Sequence, residues 1–72
     1  MTHVGIWSKI DKVAAIKGVT PSALARGCHM DATAFNKSKR WSKDGQPRWP
    51  SAGTLAKVID YAGMTDEEFF QL

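Results

Sequence analysis

The 72-residue chain has one cysteine, which rules out an internal disulfide and a four-thiolate zinc site. That usage fits a reducing compartment, so a cytoplasmic protein is expected. No apolar run approaches the roughly 20 residues of a membrane helix, and no charged stretch leads into an apolar one at the start, so neither a span nor a signal peptide is expected. There is no alternating strand pattern, no repeat, no low-complexity tract and no glycine-rich phosphate loop placed after a strand. No serine, histidine and carboxylate combination has motif support. Cys28 and His29 with His3 lack a fourth ligand at metal spacing, and neighbouring ligands point apart, so a structural thiol and a turn histidine are expected. The expectation is no enzyme activity, no metal and no cofactor. The length allows a single domain over residues 1–72. A chain this short buries only about 60% of its unfolded surface, leaving little interior for a shielded catalytic cleft.

What the chain does have is a localised excess of base. Its net charge is +3, but residues 36 to 50 alone carry +4, from Lys37, Lys39, Arg40, Lys43 and Arg48 against Asp44. The last fifteen residues are acidic, with Asp60, Asp66, Glu67 and Glu68 and no base. A basic stripe on a small domain is the electrostatic footprint of a phosphate-binding surface.

The punctuation is helical. Ile6, Ile10 and Val13, with Trp7 and Ala14 beside them, recur at helical spacing, and Gly18 supplies a stop. Thr20-Pro21 marks a second start, for a helix through Leu24, Ala25 and Arg26 to about Cys28. Asp31 is placed to cap a third helix through Ala34 and Phe35 to about Lys39 or Arg40. Residues 41 to 50 read as a connecting loop. Ser51 caps a fourth helix with Leu55, Val58, Ile59 and Ala62 inward and Gly63 at its end, and Thr65 to Glu68 is a capping box for a short fifth one. The expected fold is all-α, a compact five-helix domain.

Residues 21 to 40 suit a helix-turn-helix unit: Leu24, Cys28, Met30 and Phe35 fill the inner angle and Ala25 gives the small contact where the helices touch. From Leu24-Ala25 through Thr33-Ala34-Phe35-Asn36-Lys37-Ser38-Lys39-Arg40 to Pro47-Arg48-Trp49-Pro50-Ser51, the chain resembles the N-terminal DNA-binding domain of lambda-repressor-like phage and prophage repressors. The nearest likeness is to regulators whose second domain is a LexA-like self-cleaving protease. The resemblance implies a lambda-repressor-like fold, a bacterial or phage-encoded origin, and that residues 1–72 form the DNA-binding part of a longer regulator. One position departs from the pattern: the left-handed turn residue, usually glycine, falls on His29, a type that enters that region more readily than most.

On chemistry, Ala32 and Thr33 suit a thymine methyl, Asn36 suits adenine and Lys37 suits guanine acceptors; the resemblance places base contacts at the same four positions. The competing role for Thr33 and Asn36 is ordinary polar surface. Ser38, Lys39 and Arg40 are candidate phosphate contacts or a basic face that complements a helix end. Thr20 and Ser22 stand at a helix start whose free amides favour anions, although capping alone explains Thr20. Arg48 and Trp49 suit a backbone clamp, and the resemblance lays their loop against DNA; Trp41 and Trp49 equally suit lids over the core.

The expected partner is double-stranded DNA with a near-palindromic operator. Phe69 and Phe70 lie about 100° apart on one helix, so both can hardly be buried and one is expected to meet another surface. The resemblance implies a homodimer through that helix; the alternative is a fragment, monomeric or weakly dimeric, whose exposed Phe lacks its covering residues. Such a dimer sets two reading elements about 34 Å apart. The alternative is a protein-interaction module on the same scaffold.

Overall fold

Thr2 opens the first helix: its hydroxyl accepts from the Gly5 amide at 2.9 Å. The computed structural model describes all residues, 1–72, as four α-helices with no strand. Helix α1 spans His3–Lys17 and buries Ile6, Trp7, Ile10, Val13 and Ala14, the expected apolar stripe. Helix α2 spans Pro21–Gly27, with the Thr20 hydroxyl accepting from the Ala23 amide at 3.1 Å and Leu24 and Ala25 buried. Helix α3 spans Ala52–Ala62 behind Ser51, and α4 spans Asp66–Phe70 behind a complete Thr65–Glu68 capping box.

Three of these helices end alike. After α1, Gly18 at φ 67° donates to Ala15 while Val19 donates back to Ala14. After α3, Gly63 at φ 69° donates to Asp60 and Met64 to Ile59. After α2, His29 takes the left-handed place at φ 60°, donating to Arg26 at 3.0 Å, and Met30 donates to Ala25 at 2.9 Å. Paired bonds of this kind satisfy the last carbonyls of a helix and require a left-handed residue after it. The turn after α2 therefore has the expected form with a histidine where glycine costs least.

The expected α-helix over 31 to 40 is corrected. Residues 32 to 35 form turns, Asn36 is extended at φ −63° and ψ 146°, and only Lys37–Lys39 coil further, as a 3₁₀ turn. Asp31 does not cap an α-helix; its carboxylate accepts from the Thr33 amide at 2.8 Å and hydroxyl at 2.6 Å, closing a local side-chain turn that competes with helical bonding. The amides of Ala34 and Asn36 then reach back only three residues, to Asp31 and Thr33. A ten-residue segment with its bonding diverted at the start cannot nucleate an α-helix by itself. The five-helix count is thus four α-helices and one irregular segment.

Residues 41 to 50 are irregular but pinned. Trp41 and Pro47 form an isolated antiparallel bridge, Ser42 donates to Gln46 at 2.8 Å, and Gly45 turns the chain at φ 83°. Within the core, Phe35, Phe69, Ile6, Ile10, Leu24, Val13 and Val58 are fully buried, joining all four helices to the irregular segment. Phe70, by contrast, is 39% exposed. No helix is long and apolar enough to cross a membrane.

Candidate nucleic-acid interface

The basic residues divide into one that faces inward and several that face out. Arg40 is 8% exposed. Its guanidinium gives two bonds to the Asp11 carboxylate, at 2.7 and 2.9 Å, and a third to the Phe35 carbonyl at 2.9 Å, and it lies 4.9 Å from the Trp7 ring centre. The expected phosphate contact at Arg40 is therefore corrected: both terminal nitrogens of its guanidinium bond within the protein, Nε is buried without a partner, and its planar fork is the shape a carboxylate binds best. This is the only ion pair in the structure. Lys37, Lys39, Lys43 and Arg48 are all exposed and none has an acidic partner.

Two clefts flank the 31 to 40 segment. One, of about 410 Å³, lies where α1 and the start of α2 meet it, and is lined by Ser22, Asn36 and Lys37 with Asp11, Phe35 and Arg40. The other, of about 260 Å³, is lined by Lys39, Arg48, Trp49, Ser51 and Thr54 over Met30, Ala34 and Phe35. Candidate residues are thus gathered in two sets, Ser22 with Asn36 and Lys37 in one cleft and Lys39 with Arg48 and Trp49 in the other. Ala32 is half-buried, and Thr33, Lys37, Ser38 and Lys39 are exposed. The hydroxyl of Thr33 is held by Asp31, and these two bonds, hydroxyl first and amide second, keep the Asp31 carboxyl below its usual range. The hydroxyl of Thr20 is likewise occupied by its capping bond, while Ser22 is half-buried beside the first cleft.

The loop carrying Arg48 and Trp49 is positioned by α1. Trp7 donates its indole N–H to the Arg48 carbonyl at 2.8 Å, and His3 Nε2 lies 2.8 Å from the Arg40 carbonyl and 3.1 Å from that of Arg48. The Arg48 amide donates to the Arg40 carbonyl at 2.8 Å. His3 also meets both tryptophans edge-on, with ring centres 4.5 Å from Trp41 and 5.7 Å from Trp49. Both tryptophans remain about half exposed, at 48% and 52%. Both lie against His3, Trp49 also lines the cleft over Met30, Ala34 and Phe35, and each keeps surface open to solvent.

Three positioning residues, His3, Trp7 and Asp11, did not stand out in the sequence. The available signal is their spacing of four, which puts a histidine, an indole and a carboxylate on one face of α1. Cys28 is buried, with its thiol 3.7 Å from the Lys57 carbonyl; burial raises its pKa and Lys57 opposes that in part. Comparison of the chain with protein-family models, with curated proteins and with solved structures returns no match.

Proposed function

We propose that the chain is a sequence-specific, double-stranded DNA-binding transcription regulator acting as a repressor. In this reading the scaffold is lambda-repressor-like, and the second half of its helix-turn-helix is the irregular 31 to 40 segment. The observation that carries the reading is the sorting of charge: Lys37, Lys39, Lys43 and Arg48 stand exposed and unpaired, while Arg40, in their midst, is turned inward to hold their segment against α1. Unpaired bases on a fixed surface are what a phosphate backbone requires.

Ala32, Thr33, Asn36 and Lys37 read base edges in the major groove. Short side chains at Ala32 and Thr33 let the backbone approach, and the amide of Asn36 has no side-chain capping bond to distract it from a base. Ser38, Lys39, Arg48 and Trp49 contact the sugar-phosphate backbone on one side and Ser22 on the other. Two copies meet through α4, where the exposed Phe70 borders an apolar cleft with Leu55 and Ile59.

The test is a comparison of Lys37→Ala with the unsubstituted protein on a selected duplex and its single-base variants. Loss of discrimination at one base pair, worth about 1–3 kcal/mol, is expected. Unchanged discrimination at every position overturns the assignment of Lys37 to a base.

A further inference from the structure

We propose, resting on the duplex-reading function above, that the Asp11–Arg40 pair is a positioning device that sets the base-reading geometry of Asn36 and Lys37. The backbone of the 31 to 40 segment holds Asn36 and Lys37 only through short three-residue bonds, the Lys39 amide donating to the Asn36 carbonyl at 2.9 Å and the Arg40 amide to that of Lys37 at 3.1 Å. Asn36 is extended, and the coil after it is three residues long. In an α-helix the Phe35 carbonyl accepts an amide four residues on; here it accepts the Arg40 guanidinium at 2.9 Å. Arg40 thereby closes a ring of side chain and backbone around Asn36 and Lys37.

That ring is fixed to the rest of the protein at Asp11 and Trp7, which stand four apart on α1 and together receive the guanidinium. Asp11 and Arg40 also line the cleft that Asn36 and Lys37 line, and the Arg40 amide donates to the Lys37 carbonyl at 3.1 Å, which links the pair to the reading residues. Rigid support of a contact residue by its neighbours is what turns a bond to a base into discrimination.

The proposal has a sign that simple electrostatics reverses. Asp11→Asn removes an acid beside the interface and takes the net charge from +3 to +4, which by charge alone strengthens binding to any duplex. A positioning role requires the opposite for the selected duplex.

The experiment measures fluorescence anisotropy of the unsubstituted protein, Asp11→Asn and Arg40→Lys on the duplex enriched from a random pool and on a scrambled duplex at equal salt. Folding of each variant is checked by circular dichroism, and amide shifts at Asn36 and Lys37 are recorded without DNA. Arg40→Lys keeps the charge and loses the fork. The expected result is a fall of about tenfold in the ratio of selected to scrambled affinity in both variants. Scrambled-duplex affinity stays equal or rises in Asp11→Asn, and the Asn36 and Lys37 amides shift in both.

An unchanged ratio, or unmoved amides, overturns the proposal while leaving the duplex reading intact. An unsubstituted protein that enriches no sequence removes the duplex reading and this inference with it. Failure of both variants to fold makes the pair a folding determinant and also overturns the proposal.

Discussion

The indole N–H of Trp7 donates to the carbonyl of Arg48 at 2.8 Å, across 41 positions of sequence. One ring thereby serves two surfaces: its face supports the Arg40 guanidinium and its edge anchors the loop that presents Arg48 and Trp49. Trp7→Phe keeps an aromatic ring in the core and deletes the donor. The expected cost is about 1 kcal/mol of stability, modest because His3 Nε2 still reaches the same carbonyl. Urea midpoints measure it, and an unchanged midpoint denies the bond a structural role.

His29 occupies a left-handed position that Gly18 and Gly63 fill after the other two helices. His29→Gly removes the Cβ penalty but frees the unfolded chain, so a gain of up to about 1 kcal/mol is expected. His29→Val, with a branched side chain at positive φ, is expected to lose about 1–2 kcal/mol. The order Gly, His, Val in melting temperature is the outcome to check, and any other order contradicts the strain at this turn.

Arg40 and Arg48 are neighbours in the basic segment and differ in kind. Arg48→Ala is expected to weaken binding to all duplexes alike and to flatten the salt dependence by about 0.9 in slope, as one lost phosphate contact does. Arg40→Ala is expected to cost roughly 2 kcal/mol of folding stability, less than a fully buried pair because Asp11 is 39% exposed. Equal salt-slope changes with no loss of stability at Arg40 contradict its inward assignment.

Much of this division was legible in the residues themselves. The caps at Thr20, Ser51 and Thr65, the stops at Gly18 and Gly63 and the left-handed turn at His29 are local effects, set within a few positions of the backbone they satisfy, and the split between Phe69 and Phe70 follows from helical spacing. The state of residues 31 to 40 was not legible. Asp31 is as good a partner for a two-residue turn as for a helix start, and the observed segment also carries a bond from Arg40 to the Phe35 carbonyl and a pair with Asp11, 20 positions before Asp31, which no local pattern signals. A count of bases likewise does not tell an arginine paired with a distant carboxylate from one facing solvent.

The pH dependence follows from the turns and caps. Glu68 is held below its ordinary range by the Thr65 amide and then its hydroxyl, and Asp31 and Asp44 are lowered by Thr33 and Ser42. A carboxylate whose folded pKa is depressed adds stability above its unfolded pKa and loses it as pH falls through the folded one. The contribution of these three carboxylates is therefore expected to be full above about pH 5 and to decline below it. Glu68→Gln keeps a side-chain acceptor for the cap and removes the titration. Its acid decline is expected to be shallower, read as urea midpoints between neutral and acid pH; an identical decline excludes Glu68 as a contributor.

The most direct measurement of DNA reading is a binding selection from random duplex DNA at moderate and raised salt, with sequencing of the bound pool. The expected result is an enriched, two-fold symmetric motif with half-sites about 34 Å apart that survives the higher salt. A pool that stays random, with binding lost at about 200 mM salt, leaves only the non-specific attraction of Lys37, Lys39, Lys43 and Arg48 for phosphate, contradicts sequence reading and points to a protein partner.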